Sequence, residues 1–300
     1  MKDLPNPKFR TDMAAECCEG KADTALKGVI FRETEVKGIA VSRLAILNKE
    51  GEAAIGKAKG NYVTLSLGPV WLSDDRAFDT ASEVLGEELH RMAKALVPDL
   101  SSVLVVGLGN RFITSDAIGP LTVKALTVTR HLQTMEPALF ERLGTLPIAA
   151  VSPGVVGQTG IETADLIRAT VRCAFPSLVV CVDALAARSV ERLAVTVQLS
   201  DVGLSPGSGI GNRRRAMDSE TLGAPVIAIG VPTVVDAATL VNDVLERAGM
   251  TDPPDSLRTE LERGRHFFVT VRDADAAASE MARLLAAAIE RAFSRSDGHI

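Results

Sequence analysis

Four cysteines and four histidines among 300 residues leave little for disulfide, zinc or triad chemistry. Cys17, Cys18, Cys173 and Cys181 form no C-x-x-C, and an adjacent pair such as Cys17-Cys18 suits neither a disulfide nor a zinc site. They read as reduced thiols of a reducing compartment. His90, His131, His266 and His299 supply neither H-E-x-x-H nor a close histidine pair, which disfavours a zinc hydrolase. Gly207-Ser208-Gly209 is not a G-x-S-x-G elbow and has no histidine placed for it, so a serine triad fails as well. No apolar run approaches the ~18 residues of a membrane span. The opening Met1-Lys-Asp-Leu-Pro-Asn-Pro7 lacks the apolar core of a secretory signal, so a soluble, intracellular protein is expected, with no membrane partner. Basic charge is also short. A formal net charge of −5 argues against direct nucleic-acid binding, though not against a basic or DNA-associated protein as partner.

Hydrophobic residues form 46% of the chain and charged residues 24%, ordinary for a globular protein with an ample core. Residues 1–25 are polar and without period, as expected of an arm or removable leader. Residues 28–72 read as β-rich, and 79–97 as an amphipathic helix stopped by Pro98. Beyond Pro98, strands are predicted at 103–108, 148–151, 178–182, 193–199, 226–231 and 266–271. They alternate with helices at 116–130, 160–174, 184–191, 233–248 and 273–294. That alternation predicts an α/β fold, a mostly parallel central sheet flanked by helices, with the β-rich stretch as an N-terminal extension.

Two aspartates stand out. Asp116 follows Val103–Gly107 and its turn, and Asp183 follows Leu178–Val182 directly. Short, wholly apolar runs suit buried parallel strands, and ligands of open α/β sheets bind beyond the strands' carboxyl ends. Two carboxylates in one crevice can share a proton and divide the roles of acid and base in hydrolysis. The competing reading makes each a helix cap, Asp116 with Thr114 and Ser115 before Ala117, and Asp183 before Ala184.

Gly107-Leu-Gly109-Asn110 invites a dinucleotide reading, but Phe112 occupies the place of the third glycine, and no cofactor is expected. Gly154, Gly157, Thr159 and Gly160 belong to a glycine-rich turn. Thr159 with Glu162 fits a capping box, or the turn offers backbone groups to an extended peptide. Gly207, Ser208 and Gly209 lie in a second such loop. Arg213, Arg214 and Arg215 read as a solvated surface run, or as a site for an acidic stretch of substrate. Arg188 either orients Asp183 or pairs with Glu191.

Several long segments resemble the germination proteases of spore-forming Firmicutes: Val105–Asn110, Thr114–Pro120, Pro153–Thr163, Val182–Arg192, Pro206–Arg214 and Thr221–Ala237. The likeness runs in order from about Arg10 to about residue 250. It implies an endopeptidase that degrades small acid-soluble spore proteins during germination, made as a self-processing zymogen in the developing spore's cytoplasm and assembled as a homotetramer. The family's aspartate pair maps onto Asp116 and Asp183. The implied leader is residues 1–12, cut between Asp12 and Met13, leaving 13–300 as one peptidase domain. The fold implied is that of hydrogenase maturation endopeptidases, where a metal-binding carboxylate stands in the place of Asp116; no metal is expected here for want of a histidine. In the family an extra segment precedes the final strand, whereas here Asp252-Pro-Pro-Asp255 leads almost directly to His266–Thr270. The alternatives are a metal-dependent maturation-type endopeptidase and a non-catalytic peptide-binding protein.

Overall fold

The computed structural model describes residues 9–18, 26–205, 215–250, 254–263 and 267–294. Strands β1 (Val29–Val36) and β2 (Ile39–Ile46) form a hairpin. Helix α1 (Lys49–Ile55) follows, started by the Asn48 side chain and ended by Gly56 in the left-handed conformation, and leads into β3 (Gly60–Ser66). Helix α2 (Asp75–Leu96) is capped by Asp74, whose carboxylate accepts from the Ala77 N–H at 2.8 Å. After β4 (Val103–Gly107) come α3 (Ile118–Ala125), the short α4 (Leu132–Met135) and α5 (Pro137–Leu143), then β5 (Ile148–Val151). Helices α6 (Val156–Thr159) and α7 (Thr163–Ala174) precede β6 (Leu178–Ala187), which is followed by β7 (Thr196–Ser200), α8 (Ser219–Leu222) and β8 (Val226–Asp236). Helices α9 (Ala237–Arg247) and α10 (Asp255–Arg263), strand β9 (Phe268–Val269) and α11 (Ala274–Ala292) complete the described chain.

All nine strands join one sheet in the order β1-β2-β3-β7-β8-β6-β4-β5, with β9 on the end of β8. The four strands β8, β6, β4 and β5 are mutually parallel; the N-terminal strands and β7 and β9 attach antiparallel. The architecture is therefore the expected helix-flanked central sheet, and β3–β7 pairing makes the β-rich stretch continuous with it. Val103–Gly107 and Leu178–Val182 are buried throughout because helices cover both faces. On one face Val105, Val180, Val182 and Ile229 meet α2, α3 and α11. On the other, Val106, Val179 and Cys181 meet Ile167 and Val171 of α7.

Three sequence expectations need correction. No helix forms at 184–191. Ala184-Leu-Ala-Ala187 has helical propensity, but β8 runs on to Asp236 and supplies strand partners for all four residues, through a register shift at Leu185/Ala186. For the same reason α9 begins at Ala237 rather than 233. The helix predicted at 116–130 is confined to Ile118–Ala125. Asp252 and His266 lie outside the described residues.

Candidate active site

Neither aspartate is a helix cap. Thr114–Asp116 make a single 3-10 turn, α3 starts from Ala117 with no side-chain cap, and the Asp116 carboxylate instead accepts the Asn110 N–H at 2.8 Å. Asp183 lies inside β6, in register with Gly230 of β8, not past its end. It still projects into the crevice, because the neighbouring β4 stops at Gly107, opposite Val182.

Glycines bring the two together. A Cβ on Gly107 would lie 2.2 Å from the Gly119 carbonyl oxygen, and one on Gly119 would lie 2.3 Å from that of Leu108 and 2.6 Å from that of Val182. The first turn of α3 thus presses onto the ends of β4 and β6. Gly109, at φ +108°, admits Asp116 just as closely, its missing Cβ falling 2.0 Å from the Asp116 carbonyl oxygen. The result is a cavity of about 330 Å³ whose walls include Asp116, Asp183 and, from the N-terminal segment, Asp12. Thr233, whose hydroxyl donates to the Ser115 carbonyl at 2.6 Å, ties β8 to the turn that carries Asp116.

Residues 9–18 pass beside this cleft, with Asp12 in its wall. The Asp12 N–H donates to the Ala186 carbonyl at 2.8 Å, and the Asp12 carboxylate accepts the Ala186 N–H at 2.9 Å, so Asp12 is tied to β6 by one backbone and one side-chain hydrogen bond. Lys57 donates to the Thr11 carbonyl at 3.0 Å, and the Arg10 guanidinium stands 3.7 Å from Asp236. Beyond Asp12 the Met13 side chain is fully buried against Leu185, Ala187, Leu193 and Val235. Glu16, itself buried, accepts the N–H groups of Arg188 (2.8 Å) and Ser189 (3.0 Å) and the Thr11 hydroxyl, with the Arg192 guanidinium at 3.4 Å.

From β7, Gln198 spans the Asp12–Met13 peptide bond. Its side-chain oxygen accepts the Ala14 N–H at 2.6 Å, and its amide nitrogen lies 3.4 Å from the Asp12 carbonyl oxygen. Gln198 and Asp183 both pair in register with Gly230, so they stand at one level on one face of the sheet, with the Leu185 side chain lying over Gly230 between them. Cys181 shares that face. Burial first, and the neighbouring Asp183 charge second, push its thiol up to about 12.

Of the other described residues named from sequence, Gly109, Ser115, Gly154 and Glu162 border the cavity. Gly157 and Thr159 lie in α6 and Gly160 ends it; the Thr159 hydroxyl is spent on Val155 and Ile161, and α7 starts from Glu162 without a side-chain cap, so there is no capping box. Arg188 turns away from Asp183. It binds Asp243 at 2.7 Å and Glu246 at 2.6 Å and stacks on Phe9, while Glu191 pairs with Arg247. Gly207, Ser208, Gly209, Arg213 and Arg214 lie outside the described residues, and Arg215 pairs with Asp165. Sequence reasoning overlooked Gln198, because Thr196-Val-Gln-Leu-Ser200 alternates like a half-solvated strand; residues 12–18 cover its polar face. Among the described residues no three histidine, cysteine, aspartate or glutamate side chains converge as a metal site requires, and none of the helices is long and apolar enough to cross a membrane.

A family profile for germination protease matches residues 10–248. The chain is 44% identical over 253 residues to the germination protease of Priestia megaterium, covering 81% of this chain and 68% of that one. It is 42% identical over 270 residues to that of Clostridium perfringens, covering 89% and 81%. The germination protease of Caldanaerobacter subterraneus is 45% identical over 239 residues, covering 79% and 72%. Among solved structures, a [NiFe] hydrogenase maturation protease, HycI from Thermococcus kodakarensis, aligns with 66% of this chain and 98% of its own, at 16% identity and a TM-score of 0.35, too low to carry an argument.

Proposed function

The chain belongs to the germination protease family, and from that premise we propose that it is a self-processing zymogen whose Asp116 and Asp183 cut peptide bonds of small acid-soluble spore proteins. An endopeptidase is what family membership gives; the pair, the substrates and the processing are our reading. One observation carries it. Asp12, the residue before the expected cut, lines the same cavity as both aspartates and is held to β6 by two hydrogen bonds with Ala186.

In this reading one carboxylate, ionised, removes a proton from water as it attacks the Asp12 carbonyl carbon. The other, protonated, donates a hydrogen bond to the carbonyl oxygen and later assists departure of the amine. Two carboxylates in one small cavity favour a shared proton, since both ionised would repel. Each aspartate accepts a backbone N–H, Asp116 from Asn110 and Asp183 from Ala184, so the role of base is open to either. Cleavage frees residues 1–12 from the groove, and the same β6 edge then receives substrate. The homotetramer and spore-core location that the family resemblance implies are further parts of this proposal.

The test is incubation of purified protein with small acid-soluble spore proteins, with and without chelator, and mass spectrometric mapping of new termini. Cleavage unaffected by chelator is expected. Loss of cleavage with chelator would favour the metal-dependent rival, and tight binding without new termini would favour the non-catalytic one.

A further inference from the structure

We propose that Gln198 is a further catalytic residue, whose side-chain amide donates a hydrogen bond to the carbonyl oxygen of the bond being cut and stabilises the charge that develops there. The inference rests on the reading above, in which the Asp12–Met13 bond is a substrate. Gln198 spans that bond: its oxygen accepts from the Ala14 N–H at 2.6 Å on the departing side, and its nitrogen faces the Asp12 carbonyl at 3.4 Å on the acyl side. The orientation of the amide is forced, because rotating it would set two donors against each other at Ala14. Gln198 is 7% exposed on β7, a strand paired on both sides, so its position is fixed before any substrate arrives.

Geometry gives the role its meaning. The Leu185 side chain lies over Gly230, between Gln198 and Asp183, and all four border one cavity together with Asp12. Asp12 also borders the cavity that Asp116 and Asp183 line, so in this proposal its peptide bond is reached by the aspartates from one cavity and by the glutamine amide from the other. When water oxygen bonds to the Asp12 carbonyl carbon, its proton passes to the ionised aspartate and the C=O electron pair moves onto oxygen. That oxygen has two acceptor directions, one for the protonated aspartate and one for the Gln198 amide. As the pair returns, the C–N bond breaks and the Met13 nitrogen takes up the proton that the aspartate removed from water, yielding a carboxyl group at Asp12 and an amine at Met13. A 3.4 Å ground-state contact has room to shorten as the carbonyl carbon becomes tetrahedral, which is the differential binding that catalysis needs.

The test follows release of residues 1–12 from the full-length protein by intact mass, as a first-order rate, in the wild type, Gln198→Ala and Gln198→Glu, with thermal unfolding of each. Loss of one such donor is expected to slow cleavage about 10²- to 10³-fold. Gln198→Glu keeps an acceptor for the Ala14 N–H but, ionised, has no donor for the carbonyl. Its deficit should match that of the alanine variant at neutral pH and narrow as the pH falls and the new carboxyl regains a proton. The deficit is taken as a ratio to wild type at each pH, because Asp12, Lys57, Tyr62, Asp183 and Asp218 line this cavity in all three proteins. Wild-type rates in folded Gln198→Ala, or a Gln198→Glu deficit independent of pH, overturn the assignment of Gln198 alone. A wild type that never loses residues 1–12 overturns the zymogen reading and this inference with it.

Discussion

Replacing Gly119 with alanine puts a methyl carbon 2.3 Å from the Leu108 carbonyl oxygen, 2.5 Å from the Leu108 nitrogen and 2.6 Å from the Val182 carbonyl oxygen. All three are backbone atoms of the sheet, so no side chain can rotate away to make space. Relief requires α3 to lift by about 1 Å from the ends of β4 and β6. Overpacking of this kind costs about 3 kcal/mol, the upper end of the usual range. Alanine's preference for helix, about 1 kcal/mol over glycine, offsets part of it. With a net cost of about 2 kcal/mol and a shift of about 2–4 °C per kcal/mol for a chain of this size, Tm should fall by roughly 4–8 °C. Function should suffer more. Asp116 sits three residues before Gly119, and a misplacement of about 1 Å of a catalytic group can cost about 100-fold in rate. Gly157→Ala is the control, because a Cβ there meets nothing within 4 Å. Thermal unfolding and the self-cleavage rate should separate the two variants. A Gly119→Ala protein with unchanged Tm and unchanged rate would refute the claim that this glycine contact positions Asp116.

Glu16→Ala removes the acceptor of two buried N–H groups and the partner of Arg192, and should cost about 3–5 kcal/mol in urea unfolding; a loss under 1 kcal/mol would contradict the anchoring role. Arg188→Ala should lower stability through lost contacts to Asp243, Glu246 and Phe9 while leaving kcat on a peptide substrate unchanged, and a selective rise in KM would restore it as a substrate residue. Cys181 has its ordinary value of 9.0 raised to about 12. The unfolded chain therefore sheds this proton first, and the thiol's contribution to stability, full below pH 9, is lost as the pH climbs toward 12. Cys181→Ala should flatten that part of the stability–pH curve relative to wild type, and an identical slope would refute the burial argument.

The strand cores were legible because Val103–Gly107 and Leu178–Val182 carry unbroken apolar runs, and α11 because its alanine-rich segment favours helix. What composition could not reveal was pairing. Ala184–Ala187 became strand only because β8 and residue 12 offer hydrogen-bond partners from distant parts of the chain. The aspartates were legible as a pair but not as strand-end neighbours in the manner expected. Asp183 reaches the crevice because the adjacent strand stops short, and Asp116 because three glycines allow backbone to touch backbone. Arg188 illustrates the limit of spacing arguments: Glu191 is near in sequence, yet the partners that hold the guanidinium come from α9, more than fifty residues on. Gln198 was hidden by a polar alternation that ordinarily means solvent.

Intact-mass measurement of the wild type, Asp116→Asn and Asp183→Asn, each incubated alone at mildly acidic pH, addresses the shared-proton mechanism most directly. The wild type is expected to lose residues 1–12 and begin at Met13, while both asparagine variants stay full length with near-normal thermal unfolding. Release of the same fragment at the wild-type rate by either variant would contradict the mechanism.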